Sequence, residues 1–203
     1  MKSFRLLERL FQGLDDLREY ERIAGFWQIA RRALANNAFD GVLTMVGVVM
    51  GQWVGGIENP ATVILIGVAT SISIGISGLW GAYLAESAER GRELAKLEKI
   101  SLTDLGETKI GRASRMAVVV VSLVDGLSPL LSSLIVLTPF FFASRGGGML
   151  VSYVLSMALA LVCLFILGMF LGHISGRSLV GYGLRTMIAG VVAIMITRLL
   201  PAD

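Results

Sequence analysis

The chain is poor in the residues that disulfides, metal-dependent hydrolysis and soluble surfaces require. Its 203 residues include one cysteine, Cys163, and one histidine, His173. A lone cysteine excludes an intramolecular disulfide framework and any cysteine-based zinc site. One histidine cannot form H-E-x-x-H, and no G-K-[ST] phosphate loop occurs, so metalloprotease and nucleotide-hydrolase readings have no support. No nucleophile, base and orienting group can be assembled from what remains, so the chain does not read as an enzyme. Charge is scarce as well. Asp, Glu, Lys and Arg together make up 16% of the chain, against about 25% in ordinary soluble domains. The net charge of +3 is accounted for by membrane topology and calls for no nucleic-acid partner.

What the chain does have is apolar length. Hydrophobic residues make up 55% of it, concentrated in five runs over 33–57, 61–85, 116–143, 149–172 and 179–200. Each is long enough to cross a hydrocarbon core of about 30 Å as a helix. The sequence predicts an all-α integral membrane protein of five spans. Residues 1–32 form a separate cytoplasmic or interfacial segment, in which Phe4, Leu7, Phe11, Leu14, Leu17 and Tyr20 recur at the spacing of an amphipathic helix. Residues 33–203 form the membrane domain, with one long polar connection at 86–115. Seven Lys or Arg lie in the N-terminal segment and seven in that connection; the opposite loops hold Arg145, with Arg198 near the end. The positive-inside rule then puts the N-terminus inside and the C-terminus outside. A prokaryotic plasma membrane fits this better than a vacuolar one.

Two carboxylates stand inside apolar runs, where an uncompensated charge costs several kcal/mol and normally faces a cavity or a partner. Asp40 opens the first run, and Asp40, Thr44, Gly47 and Gly51 share one helical face. The alternative for Asp40 is a helix N-cap at the water interface. Asp125 lies about 15 Å of helix beyond Arg115, beside Pro129 and a serine-rich stretch (Ser122, Ser128, Ser132, Ser133). It reads as part of a polar path or as a carboxylate satisfied by neighbouring hydroxyls. Small residues repeat as Gly47, Gly51 and Gly55 in the first run and as Gly67, Ser71 and Gly75 in the second, the signature of close helix packing. Two such stripes predict either a tight hairpin or contact with a second copy of the chain. After the second run, Glu86, Glu89 and Glu93 fall on one face of a helix predicted to continue out of the membrane. That row could gather a divalent cation, or be an ordinary solvated face laced with Arg and Lys.

Over about residues 33–200 the chain resembles the vacuolar iron transporter family, which includes the yeast-type cation transporters. The resemblance is carried by Asp40-Gly41 with Leu43, Thr44 and Gly47, by Gly81-Ala82-Tyr83-Leu84-Ala85 leading into Ser87-Ala88-Glu89-Arg90, and by Gly183-Leu184-Arg185 with Gly190. Five spans with a single long insertion after the second agree with it. The sequence departs from the family at Gly78, where a methionine is usual, and at Ala82, where a glutamate is usual; the second run has no methionine at all. The insertion is also short, with Glu86, Glu89 and Glu93 as its carboxylate remnant. The resemblance implies a homodimer that exports Fe²⁺ or Mn²⁺ from the cytoplasm by proton antiport. The cation would be cargo, with no permanently bound cofactor. It would be collected near Glu86, Glu89 and Glu93 and passed to paired Asp40 carboxylates between the subunits, with Thr44 and Met45 along the path and Asp125 carrying the coupling proton. Two other readings stay open at this point: a channel or carrier for another cation or solute, and a membrane scaffold in which both aspartates are structural.

Overall fold

The structure, a computed structural model, describes residues 17–143 and 146–200. Among these residues all regular structure is helical and no strand occurs. Five long helices follow one another: α1 (Phe26–Val54), α2 (Pro60–Ser101), α3 (Lys109–Ala143), α4 (Met149–Ile174) and α5 (Leu179–Arg198). Each is long and apolar enough to cross a bilayer. By that measure the chain is a multi-pass membrane protein.

Helix boundaries follow from local chemistry. Residues 17–24 are helical and end at Gly25, whose φ of +59° suits a residue without a Cβ. The Glu21 carboxylate then accepts from the Trp27 N–H at 2.9 Å, capping the start of α1. Asn59 caps α2 by accepting from the Ala61 N–H at 2.9 Å, with Pro60 in the first helical position, where its missing N–H does no harm. Ser178 caps α5 in the same way, accepting from the Gly181 N–H.

One helix boundary differs from the sequence expectation. The helix of the first apolar run starts at Phe26, ahead of the expected start near Ala33. Phe4, Leu7, Phe11 and Leu14 of the expected amphipathic helix lie outside the described residues. As expected, α2 continues without a break beyond its apolar run, for 42 residues in all, and α3 resumes at Lys109, so most of the connection 86–115 is helical. The earlier start of α1 has a physical reason. Arg31 and Arg32 fall on exposed positions of a turn whose other face buries Phe26 and Ala30, so charge interrupts the hydropathy without interrupting the helix.

The chain divides into two compact units. The first comprises the residues up to Ala33 together with Leu79–Val124, and the second comprises Leu34–Gly78 and Asp125 onward. In the first, Phe26, Ala30, Ala117 and Val121 form a small buried cluster, with Leu17 and Tyr20 packed against it. Arg90 ties this unit together: it donates to the Ala24 carbonyl at 3.1 Å and pairs with Glu86 at 3.5 Å and Glu93 at 3.6 Å. At its exposed edge the Lys109 ammonium meets Glu19 at 2.6 Å.

The second unit holds the main core, in which Val42, Met45, Val46 and Val49 of α1 meet Val63, Val136, Leu137, Phe140, Tyr153, Met157, Ala160 and Leu164. Small residues set the helix spacing. The α2 stripe packs on α3: a Cβ on Gly67 would strike Leu137, one on Gly75 would strike Leu130, and Ser71 accepts from Ser133 at 2.8 Å. Helices α4 and α5 close on each other at Gly168, Gly172, Gly183 and Gly190, and Thr186 donates to the Leu164 carbonyl at 2.7 Å.

Candidate functional site

Within the second unit, three helices come together so closely that side chains are excluded at two points. A Cβ on Gly41 of α1 would collide with the Pro129 carbonyl oxygen and the Ser132 hydroxyl of α3. A Cβ on Gly78 of α2 would lie 2.8 Å from the Asp125 carbonyl oxygen. That carbonyl is also the one that Pro129, lacking an N–H, cannot bond four residues later. Ser132 reinforces the contact by donating to the Ala38 carbonyl at 2.9 Å. Gly41, Gly78 and Pro129 therefore hold α1, α2 and α3 in fixed register.

A groove of about 370 Å³ opens beside this junction, lined by Asn37, Asp40, Ser73, Ile74, Ser77, Gly78 and Pro129. Asn37 and Asp40 stand one turn apart on α1 and share a face. Asn37 Nδ2 donates to the Asp125 carboxylate at 2.7 Å. Ser73 donates to the Ala69 carbonyl at 2.9 Å, which leaves its oxygen lone pairs available. Both carboxylates thus belong to one arrangement, Asp40 in the groove and Asp125 behind Asn37. Every polar group lining it bears oxygen, and no sulfur atom is among them.

Each residue singled out from the sequence has a definite place. Asp40 lies well inside α1, fourteen residues from the helix start at Phe26, so the N-cap alternative is ruled out. Roughly 20 Å of helix separates it from the end of α1 at Val54. Thr44 and Gly51 are exposed on the same face, and among the described residues nothing outside the local helix backbone lies within 4 Å of a Cβ placed on Gly47 or Gly51. The expected hairpin of two facing stripes does not form, because Gly67, Ser71 and Gly75 are occupied by α3. Gly55 meets only the carbonyls of its own preceding turn. Met45 is fully buried in the core and does not line the groove.

Of the serines near Asp125, Ser122 donates to the Val118 carbonyl and Ser133 bonds to Ser71, so both serve helix contacts. Glu86 and Glu93 bracket Arg90, and Glu89 is exposed. Among the described residues no group of three or more Asp, Glu, His or Cys side chains is gathered for a metal. The feature that sequence reasoning missed is Asn37. Its signal was an amide one helical turn before an intramembrane Asp, overlooked because Asn36 and Asn37 resemble the polar fringe of a span.

The chain is 31% identical over 168 residues to the "Uncharacterized protein MJ0645" of Methanocaldococcus jannaschii, an alignment covering 81% of this chain and 84% of that protein. No protein-family model matches the chain, and no solved structure matches it. The alignment is too long to be confined to one helix pair and must include most of the groove-forming helices. The chain belongs to the family of this archaeal protein.

Proposed function

We propose that the chain is a carrier for a divalent metal cation, Fe²⁺ or Mn²⁺ in the first instance, exporting it from the cytoplasm with proton coupling. The observation that carries this reading is the Asp40 groove. An exposed carboxylate stands inside a helix long and apolar enough to span a bilayer, beside an amide, two hydroxyls and a second carboxylate. At membrane depth such a group requires a cavity, a partner or a bound cation. The resemblance to the vacuolar iron transporter family supports the same direction. Five spans, an inside N-terminus and an outside C-terminus in a prokaryotic plasma membrane complete the proposal, on the distribution of Lys and Arg.

The open face of α1 supports a homodimer. Asp40, Thr44, Gly47 and Gly51 run along it; among the described residues no other helix packs against Gly47 or Gly51, and small residues in a membrane helix favour close approach of a second helix. A two-fold contact here would bring two Asp40 carboxylates to one path, where protonation competes with cation binding. In this reading Asp125, hydrogen-bonded to Asn37, exchanges the coupling proton.

The scaffold alternative draws on that same Asn37–Asp125 bond, which a purely structural pair would also form. Reconstitution separates the two. Purified protein in liposomes is expected to move Fe²⁺ or Mn²⁺ faster than Ca²⁺, with a rate that depends on the pH gradient. Folded protein that moves none of these cations would leave the scaffold reading in possession.

A further inference from the structure

The chemistry of the groove specifies more than a charge. An ionised carboxylate only accepts hydrogen bonds, so Asn37 must turn its NH₂ toward Asp125, and the 2.7 Å contact is of that kind. The amide is planar. Once its nitrogen is committed to Asp125, its carbonyl oxygen is the atom left for a ligand in the groove that Asn37 lines. Among the described residues that oxygen accepts no hydrogen bond from the chain. Asp40 one turn away adds a carboxylate, and Ser73 and Ser77 add hydroxyls from α2.

Sulfur is kept out of this set. Met45 is buried in the core, and Cys163 packs at the edge of the same core. At Gly78, where the resembled family usually carries a methionine, even a Cβ would press on the Asp125 backbone. Oxygen-only sets favour hard cations such as Mn²⁺ and Mg²⁺ over sulfur-preferring ones.

Resting on the carrier reading, we infer that Asn37 is a cargo ligand aimed by Asp125, and that the Asp40–Asn37 pair selects an oxygen-preferring divalent cation of the Mn²⁺ class. Asp125 acts on the cation through Asn37 and is a positioning residue. It holds the amide in the orientation that presents oxygen, as carboxylates commonly do for the ligands they support.

The test uses full-length protein in liposomes, with Mn²⁺ uptake measured against increasing Cd²⁺ as the sulfur-preferring competitor. Wild type is expected to resist Cd²⁺. Asn37→Met places a thioether in the groove and should make Cd²⁺ a better competitor by on the order of tenfold. Asp125→Asn lets the amide of residue 37 turn either way, and should weaken half-saturation by Mn²⁺ by about tenfold with the protein still folded. Should Asn37→Met fail to fold, the Asp125→Asn half-saturation decides alone. Mn²⁺ uptake unchanged in half-saturation and in Cd²⁺ sensitivity would overturn the assignment of Asn37 while leaving the carrier reading intact. Wild-type protein that moves no divalent cation would overturn both.

Discussion

The two units of the chain treat charge in opposite ways. In the first, two carboxylates near Arg90 are answered: Glu86 and Glu93 flank its guanidinium, and the Ala24 carbonyl takes a further N–H. In the second, Asp40 stands exposed on a helix whose opposite face is the apolar core. Paired charges at a polar surface account for shape alone. An open carboxylate in an apolar helix costs stability that packing does not return, which points to a ligand, a proton or a partner. In sequence the row Glu86, Glu89 and Glu93 could be read as a cation collector or as an ordinary solvated face laced with Arg and Lys. Arg90, at the centre of that row, pairs with Glu86 and Glu93 and offsets part of its charge.

Substitutions can break this contrast, and the largest effect is expected at Gly41. A valine there drives its side chain into Pro129 and Ser132 at the junction that frames the groove. Overpacking of this kind costs about 1–3 kcal/mol and at backbone contacts more, so Gly41→Val should lower the thermal midpoint in detergent sharply and abolish metal uptake. Gly78→Ala comes next. Its Cβ would lie 2.8 Å from the Asp125 carbonyl, and a loss of about 1–2 kcal/mol is expected by the same mechanism, read as a lower midpoint with weakened Mn²⁺ uptake.

Arg90→Ala tests the first unit. It leaves Glu86 and Glu93 without their shared partner and removes the bond to Ala24, for an expected loss of about 1–2 kcal/mol. Uptake measured well below the new midpoint should persist, since the groove residues belong to the other unit. Loss of uptake with the fold intact would instead return the acidic row to the cation path. The smallest effect on stability is expected at Gly51. Space around it is open within the chain, so Gly51→Leu should leave the monomer folded while shifting dimer to monomer by size-exclusion chromatography with light scattering. An unchanged dimer would remove this face of α1 as the interface.

The sequence made some of this legible and hid the rest for physical reasons. Helical spacing alone placed Asp40, Thr44 and Gly51 on one face, and all three are exposed together. Apolar length gave the five helices, because hydrocarbon thickness leaves little freedom in how long a span must be. Which helix a glycine stripe meets was not legible. Gly67, Ser71 and Gly75 would suit any close neighbour, and only tertiary packing assigns them to α3. Met45 shares its span with Asp40, but at about 100° of rotation per residue its place after Asp40 turns it onto the core face. The Asn37–Asp125 bond joins residues 88 positions apart, so no local pattern announces it.

The measurement that bears most directly on the central claim is a paired reading of stability and transport in Asp40→Asn. The substitution keeps the shape of an exposed side chain and removes its charge. The account predicts a thermal midpoint equal to or above that of the wild type, because the burden of an unanswered carboxylate is relieved, together with loss of Mn²⁺ and Fe²⁺ uptake in liposomes. A variant that transports like wild type, or one that loses stability and uptake together, would contradict the claim that Asp40 is held open for a cation.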